Sequence, residues 1–203
     1  MVKRQKKPTA TVSGSSDAAT LVLPGLYLGP CSSASSKPFL SSNAIKTVLS
    51  VGATPSPKVD GVTYHRLALT DTVSATSITP VLDAAVGIID AALNADKGKG
   101  KILVHCSAGM SRSPTVVVAY LMRRRQMSLK AALGHVARLR PQIHPNAGFL
   151  RQLKEMEVEL TGVSTLDVDD LPRREKDRLA LFVGEVELAQ STTSAATTST
   201  ELS

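Results

Sequence analysis

The chain has no tryptophan, three phenylalanines, three tyrosines and two cysteines among its 203 residues. So few rings exclude a core built on large aromatic side chains; valine, leucine, isoleucine and alanine must fill it. Two cysteines, Cys31 and Cys106, do not make a disulfide framework, which points to a reducing compartment. Long apolar runs are missing too. Nothing approaches the ~20 residues of a membrane span, and the N-terminus lacks the apolar stretch of a signal peptide. The absence of internal repeats excludes solenoids and propellers. His65, His135 and His144 show no metal-ligand spacing with the cysteines, so neither a metal nor a cofactor is expected.

What is present is enough for one domain with tails. Apolar residues make up 42 %, ordinary for a globular chain. The net charge of +7 is unevenly spread: +3 over residues 1–20, +8 over 21–163 and −4 over 164–203. The basic centre suits an anionic substrate or partner, although many small domains are basic for no specific reason. Residues 1–20 read as a flexible basic tail. Its "KRQKK" is a solvated run or, alternatively, a nuclear-localisation patch. The expected location is cytoplasmic, with the nucleus as the alternative. Residues 164–203 read as a C-terminal extension, with a helix over 171–190 and a disordered Ser/Thr-rich end.

Residues 21–163 alternate strand and helix signals. "LYLG" (26–29), "TVLSVG" (47–52) and "VTYHRLAL" (62–69) read as strands. Thr79 and Pro80 read as the N-cap and first residue of a helix. Its apolar face is Leu82, Ala85, Val86, Ile89 and Leu93, and "DKGKGK" breaks it. "KILVH" has the unbroken apolar character of a strand buried in a parallel sheet. Ser113-Pro114 reads as a cap and first-turn proline of a helix reaching Arg125. Ser128 caps another, with Leu129, Ala132, Leu133, Val136 and Leu139 on one face. "AGFLRQLKEMEVEL" forms the last, with Leu150, Leu153 and Leu160 inward. The alternation predicts an α/β fold: a central, mostly parallel sheet flanked by helices.

The stretch "ILVHCSAGMSRSPTVVVAYLM" carries the chemistry. A strand ends at His105, a tight turn follows, and a helix begins. A helix N-terminus offers unpaired N–H groups and partial positive charge to an anion. Ser107, Ala108, Gly109, Met110 and Ser111 are mostly small, so successive backbone N–H groups can turn inward around one tetrahedral anion. Arg112 brings a planar fork that grips two phosphate oxygens, which a lysine does not do. Cys106 lies at the floor. Inward N–H groups, a helix N-terminus and an arginine favour its thiolate, and a thiolate aimed at bound phosphorus is a nucleophile.

"HCSAGMSRS" matches the H-C-x5-R-[ST] signature of the cysteine-dependent protein phosphatases. The longer "HCSAGMSRSPTVVVAYLMRRRQMSL" resembles the dual-specificity phosphatases rather than the tyrosine-only enzymes. "LPGLYLGPCSSAS" and "IHPNAGFLRQL" are similar to that family's first strand and closing helix entry, here in the wording of its small atypical members. The resemblance covers residues 20–161. It implies the dual-specificity phosphatase fold, and hydrolysis of phosphotyrosine and phosphoserine/phosphothreonine on proteins through a phosphocysteine intermediate. By it Cys106 is the nucleophile and Arg112 the phosphate clamp. Ser113 assists release of the cysteinyl phosphate, and His105 holds the loop and helps lower the thiol pKa. The family takes its general acid from a loop some thirty-odd residues before the cysteine. "YHRLALTDTVSATSITP" has that layout, and Asp71 is its only carboxylate. Asp60, in a turn, and Asp83 and Asp90, within a helix, are the weaker choices. Asn146 matches the family's Pro-Asn and pins loops near the pocket.

Phosphorylated proteins are the expected partners, and nucleic acid is not favoured. Two alternatives remain: the same chemistry on a non-protein phosphate (an RNA 5′ end, a phosphoinositide or a phosphoglucan), or a phospho-binding module without turnover. Cys31 is read as a plain small residue, with a protective disulfide to Cys106 as the alternative.

Overall fold

Among the described residues, five short strands make one sheet: β1 (Thr20–Leu23), β2 (Leu26–Gly29), β3 (Thr47–Val51), β4 (Thr63–Leu67) and β5 (Ile102–His105). The structure, a computed structural model, describes residues 18–73 and 76–183. Strand order is β1-β2-β5-β3-β4. β2, β5, β3 and β4 are parallel, and β1 is an antiparallel edge joined to β2 across a Pro24-Gly25 turn. β5 lies in the middle with all four residues buried, which is why its sequence is apolar without alternation. Its side chains still alternate in direction. Ile102 and Val104 join Leu26, Leu28, Leu49 and Val51 in the main core, while Leu103 joins Val48, Leu40 and Ala34 on the other face. Each such side chain contributes roughly 1.5–3 kcal/mol by leaving water.

Among the described residues there are seven helices: α1 (Cys31–Ala34), α2 (Lys37–Ser42), α3 (Thr79–Gly98), α4 (Arg112–Arg125), α5 (Leu129–Leu139), α6 (Ala147–Thr161) and α7 (Glu175–Ala180). α1 and α2 close the smaller face; α3 to α6 pack on the larger. α4 is buried on all sides from Ser113 to Met122, so it reads as an apolar run rather than a stripe. None of the described helices is long and apolar enough to cross a membrane.

Several expectations are corrected. The first strand, β1, falls partly inside the stretch read as tail, and Ala18 and Ala19 already contact the fold. The rest of that tail, "KRQKK" included, lies outside the described residues. α3 begins at Thr79 itself with Ile78 in the cap position, and its backbone leaves helical angles at Ala95, Asp96 and Lys97, where "DKGKGK" begins. α4 begins at Arg112, not after Ser113; Ser111 holds the cap position. Leu139 and Leu160 are 42 % and 51 % exposed because each falls in a final turn that has run past the core. Between 171 and 190 the described helix is only Glu175–Ala180, and residues 184–203 lie outside the description. Residues 164–183 pack onto the domain: Leu166, Leu171 and Phe182 are buried in the main core.

Candidate active site

All four parallel strands point their carboxyl ends to one edge of the sheet, where ligand sites of open α/β folds gather. β2 delivers Gly29, β3 delivers Gly52, β4 leads into the segment carrying Asp71, and β5 ends at His105 just before Cys106. Asp60 precedes β4 and so lies toward the opposite edge. Asp83 and Asp90 are held by Arg123 and Arg124 of the next helix.

The loop from Cys106 to Ser111 is turned inside out. Each of its carbonyls is engaged away from the cradle. Cys106 O accepts from His105 Nδ1 (3.2 Å), Ser107 O from the Cys31 N–H (3.0 Å), Ala108 O from Arg140 Nη2 (3.2 Å) and Gly109 O from Arg140 Nε (2.9 Å). Met110 O accepts from the His144 N–H (2.7 Å), and Ser111 O from Thr115 N and Oγ1. With the carbonyls held outward, N–H groups face the centre, which makes an anion-binding nest. Gly109 is needed twice: its φ is +68°, and a Cβ would stand 2.6 Å from Gly29 C.

Cys106 is 2 % exposed. Burial opposes its ionisation. The Ser113 hydroxyl, 3.2 Å from Sγ, and the N–H groups of Ser113, Gly109 and Met110 outweigh that, so its pKa lies below the ordinary thiol value. Ser113 therefore does not cap α4; its hydroxyl and amide serve the sulfur. His105 is fully buried, and burial lowers its pKa, so it is neutral. Its Nδ1–H donates to Cys106 O, leaving Nε2 to accept from Ser50 Oγ at 2.8 Å. A neutral ring offers the thiol no positive charge; what it holds is the Cys106 carbonyl. Burial also pushes the Cys31 thiol up, as does the neighbouring Cys106, and both cysteines are free.

Arg112 closes the rim. Its Nη2 donates to Ser107 Oγ (2.9 Å), and its Nε is buried with no hydrogen-bond partner among the described residues, 3.6 Å from Asp71 Oδ2. Gly52, at φ +89°, makes room for it, since a Cβ there would collide with Arg112 Nη1. Asp71 is fixed through Oδ1, which accepts from Ser111 Oγ and Asn146 Nδ2, each at 2.7 Å. Asn146 caps α6 with its other amide atom, Oδ1 accepting from Phe149 N. Further along α6, Gln152 accepts from the Ile78 N–H (2.8 Å) and donates to Thr76 O (3.1 Å). α6 thus holds both ends of the segment that carries Asp71. Arg140, Gly52 and Gln152 were not singled out from the sequence. His135 and His144 each give their ring Nε2 to a backbone carbonyl, of Val22 and Leu171.

Replacing Ser113 with alanine removes one hydrogen bond to a charged group and leaves the amides. The pH midpoint for alkylation of Cys106 by iodoacetamide is expected to rise by about one unit. An unchanged midpoint would assign the thiolate's stability to the backbone alone.

A buried thiol below its ordinary pKa, under a nest of amides and an arginine with an unpaired buried donor, fits a tetrahedral oxyanion. Comparison with known proteins agrees with that geometry. Residues 26–159 match the family described as "Dual specificity phosphatase, catalytic domain". Dual specificity protein phosphatase 1 of Arabidopsis thaliana is 40 % identical over 139 residues, covering 68 % of this chain and 68 % of that protein. Dual specificity protein phosphatase 1B of the same plant is 39 % identical over 139 residues, covering 68 % and 81 %. The crystal structure of human DUSP28 superimposes with a TM-score of 0.64 at 32 % identity, over 70 % of this chain and 94 % of that one. Sheet, loop and sequence together place the chain in the dual specificity phosphatase family of cysteine-based phosphatase enzymes.

Proposed function

We propose that the chain hydrolyses phosphate monoesters on proteins, phosphotyrosine and phosphoserine/phosphothreonine, through a phosphocysteine intermediate. Cys106 Sγ attacks phosphorus and the bond from phosphorus to the leaving oxygen breaks. Asp71 gives its proton to that oxygen. Water then attacks the phosphocysteine, Asp71 takes the proton, and the sulfur leaves as a thiolate steadied by the Ser113 hydroxyl. Arg112 and the loop amides hold the equatorial oxygens throughout. Because the thiol ionises below its ordinary value, the nucleophile is available at pH values where an ordinary thiol is still protonated. The observation that carries the reading is the placement of Asp71. It is tied by Ser111 and Asn146 beside Arg112, at the mouth of the cradle that holds Cys106.

A protein substrate is favoured by the rim. Between Cys106 and Ser113 the only cation is Arg112, which matches one phosphoryl group. A 5′-triphosphate or a multiply phosphorylated headgroup brings further negative charge that this loop does not answer. Two exposed apolar side chains, Met110 of the loop and Val73 of the Asp71 segment, add surface that suits a peptide. The test is one panel at equal concentrations: nitrophenyl phosphate, phosphotyrosyl, phosphoseryl and phosphothreonyl peptides, 5′-triphosphate RNA, phosphoinositide vesicles and a phosphoglucan. Phosphotyrosyl peptide is expected to turn over fastest among the biological phosphates. Turnover confined to RNA, lipid or glucan would replace the protein substrate. Tight phosphopeptide binding with no turnover of any compound would make the chain a binding module.

A further inference from the structure

The phosphate loop is held from outside by residues 140–144, and those residues are themselves held from outside by a segment beyond the matched domain. The family match ends at residue 159. Residues 164–183 run back across the domain, and within them Arg178 is 3 % exposed. An arginine is almost never this buried unless its donors are used. Its Nε and Nη2 both donate to Pro141 O (3.3 and 2.7 Å), and its Nη1 donates to Pro172 O and Arg173 O (2.6 and 3.2 Å). It thus ties the segment to the residue next to Arg140. A second tie lies three residues on, where His144 Nε2–H donates to Leu171 O at 2.9 Å.

The inner side of the same short stretch grips the cradle. Arg140 holds the carbonyls of Gly109 and Ala108, and the His144 N–H holds that of Met110. Gly109 and Met110 are two of the residues whose amides lower the Cys106 pKa. Outward pull on a carbonyl and inward aim of the neighbouring N–H are two ends of rigid peptide planes. A shift at Pro141 is therefore passed to the amides that face sulfur and phosphate.

We propose that Arg178 is a positioning residue for the phosphate loop, acting through Pro141 and Arg140. This rests on the phosphatase reading for its catalytic consequence, but not for its structural one. Placement errors near 1 Å are enough to cost about 10²-fold in rate, and the partial loosening expected here should cost about tenfold.

The experiment compares four chains of the whole sequence: wild type, Arg178→Ala, Arg178→Lys and Phe182→Ala. Phe182 is a buried residue of the same segment that packs against Gly134 of α5, and its carbonyl accepts from Arg138 Nη1. It serves as a control for loss of stability. Each is assayed well below its melting temperature for kcat and KM on nitrophenyl phosphate, inhibition by orthovanadate, and the pH midpoint of Cys106 alkylation. Arg178→Ala is expected to lose about tenfold in kcat/KM, to bind vanadate about tenfold more weakly and to titrate at higher pH, with Arg178→Lys restoring part of each. Phe182→Ala is expected to melt earlier and otherwise match wild type. A folded Arg178→Ala with wild-type vanadate binding and thiol midpoint overturns the proposal, and so does a Phe182→Ala that shows the same shifts. Alkylation does not need turnover, so a wild-type chain without phosphatase activity would sink the functional reading while still deciding this one.

Discussion

Cys106→Ser is expected to reduce turnover by on the order of 10⁶-fold, the scale reached when a nucleophile is deleted from an enzyme, while phosphopeptide binding survives. A hydroxyl in place of the thiol does not ionise in the working range, so the cradle loses its nucleophile. It keeps what grips phosphate. The loop carbonyls remain turned outward by His105, Cys31, Arg140 and His144, and Arg112 remains seated over Gly52. Removal of the thiolate also removes a negative charge that faces a phosphate dianion at close range, where like charges repel strongly. The serine variant should therefore bind a phosphotyrosyl peptide at least as tightly as wild type. Steady-state assay and fluorescence anisotropy with one labelled peptide measure both halves. Residual hydrolysis near wild type would remove Cys106 from the mechanism, and loss of binding would mean that the thiolate itself holds the cradle open.

The difference between what was legible and what was not follows the distance over which each residue acts. The loop is a local device: strand end, cysteine, small residues, arginine and helix start stand in consecutive positions, so their chemistry is written in order. Arg140 reads as an ordinary cation at the end of α5, and its partners Ala108 and Gly109 lie 32 and 31 residues earlier. Nothing local marks it for burial. Gly52 reads as the end of a strand until Arg112 is known to lie across it. Ser113 illustrates the converse: serine before proline looks like a helix cap, yet the sulfur competes for its hydroxyl and amide and the helix starts at Arg112. The short α1 and α2, of four and six residues, offer no period to detect. β1 escaped because it is a four-residue edge strand with a register shift. The sheet's parallel core was legible because burial on both faces leaves β5 uniformly apolar.

Asp71 was chosen by its place in the chain, and its surroundings make the choice testable. Asp71→Asn is expected to lower kcat for phosphotyrosyl peptide by about 10²–10⁴-fold, the usual contribution of a general acid, with KM little changed. Asparagine is the informative substitution. Its Oδ1 still accepts from Ser111 Oγ and Asn146 Nδ2, so the side chain keeps its pose while losing its transferable proton. The 3.6 Å pairing with Arg112 is also lost, but it is long, and the Asp71 side chain is 37 % exposed, so solvent screening leaves it a small contribution. Leaving-group dependence separates the two. Nitrophenolate departs readily without a proton, tyrosine's phenolate less so, and a serine alkoxide least. If Asp71 is the acid, the loss must grow along that series. A uniform loss across all three would mean that Asp71 acts by holding Arg112. An equal loss in Asp60→Asn, at the opposite edge of the sheet, would move the acid elsewhere.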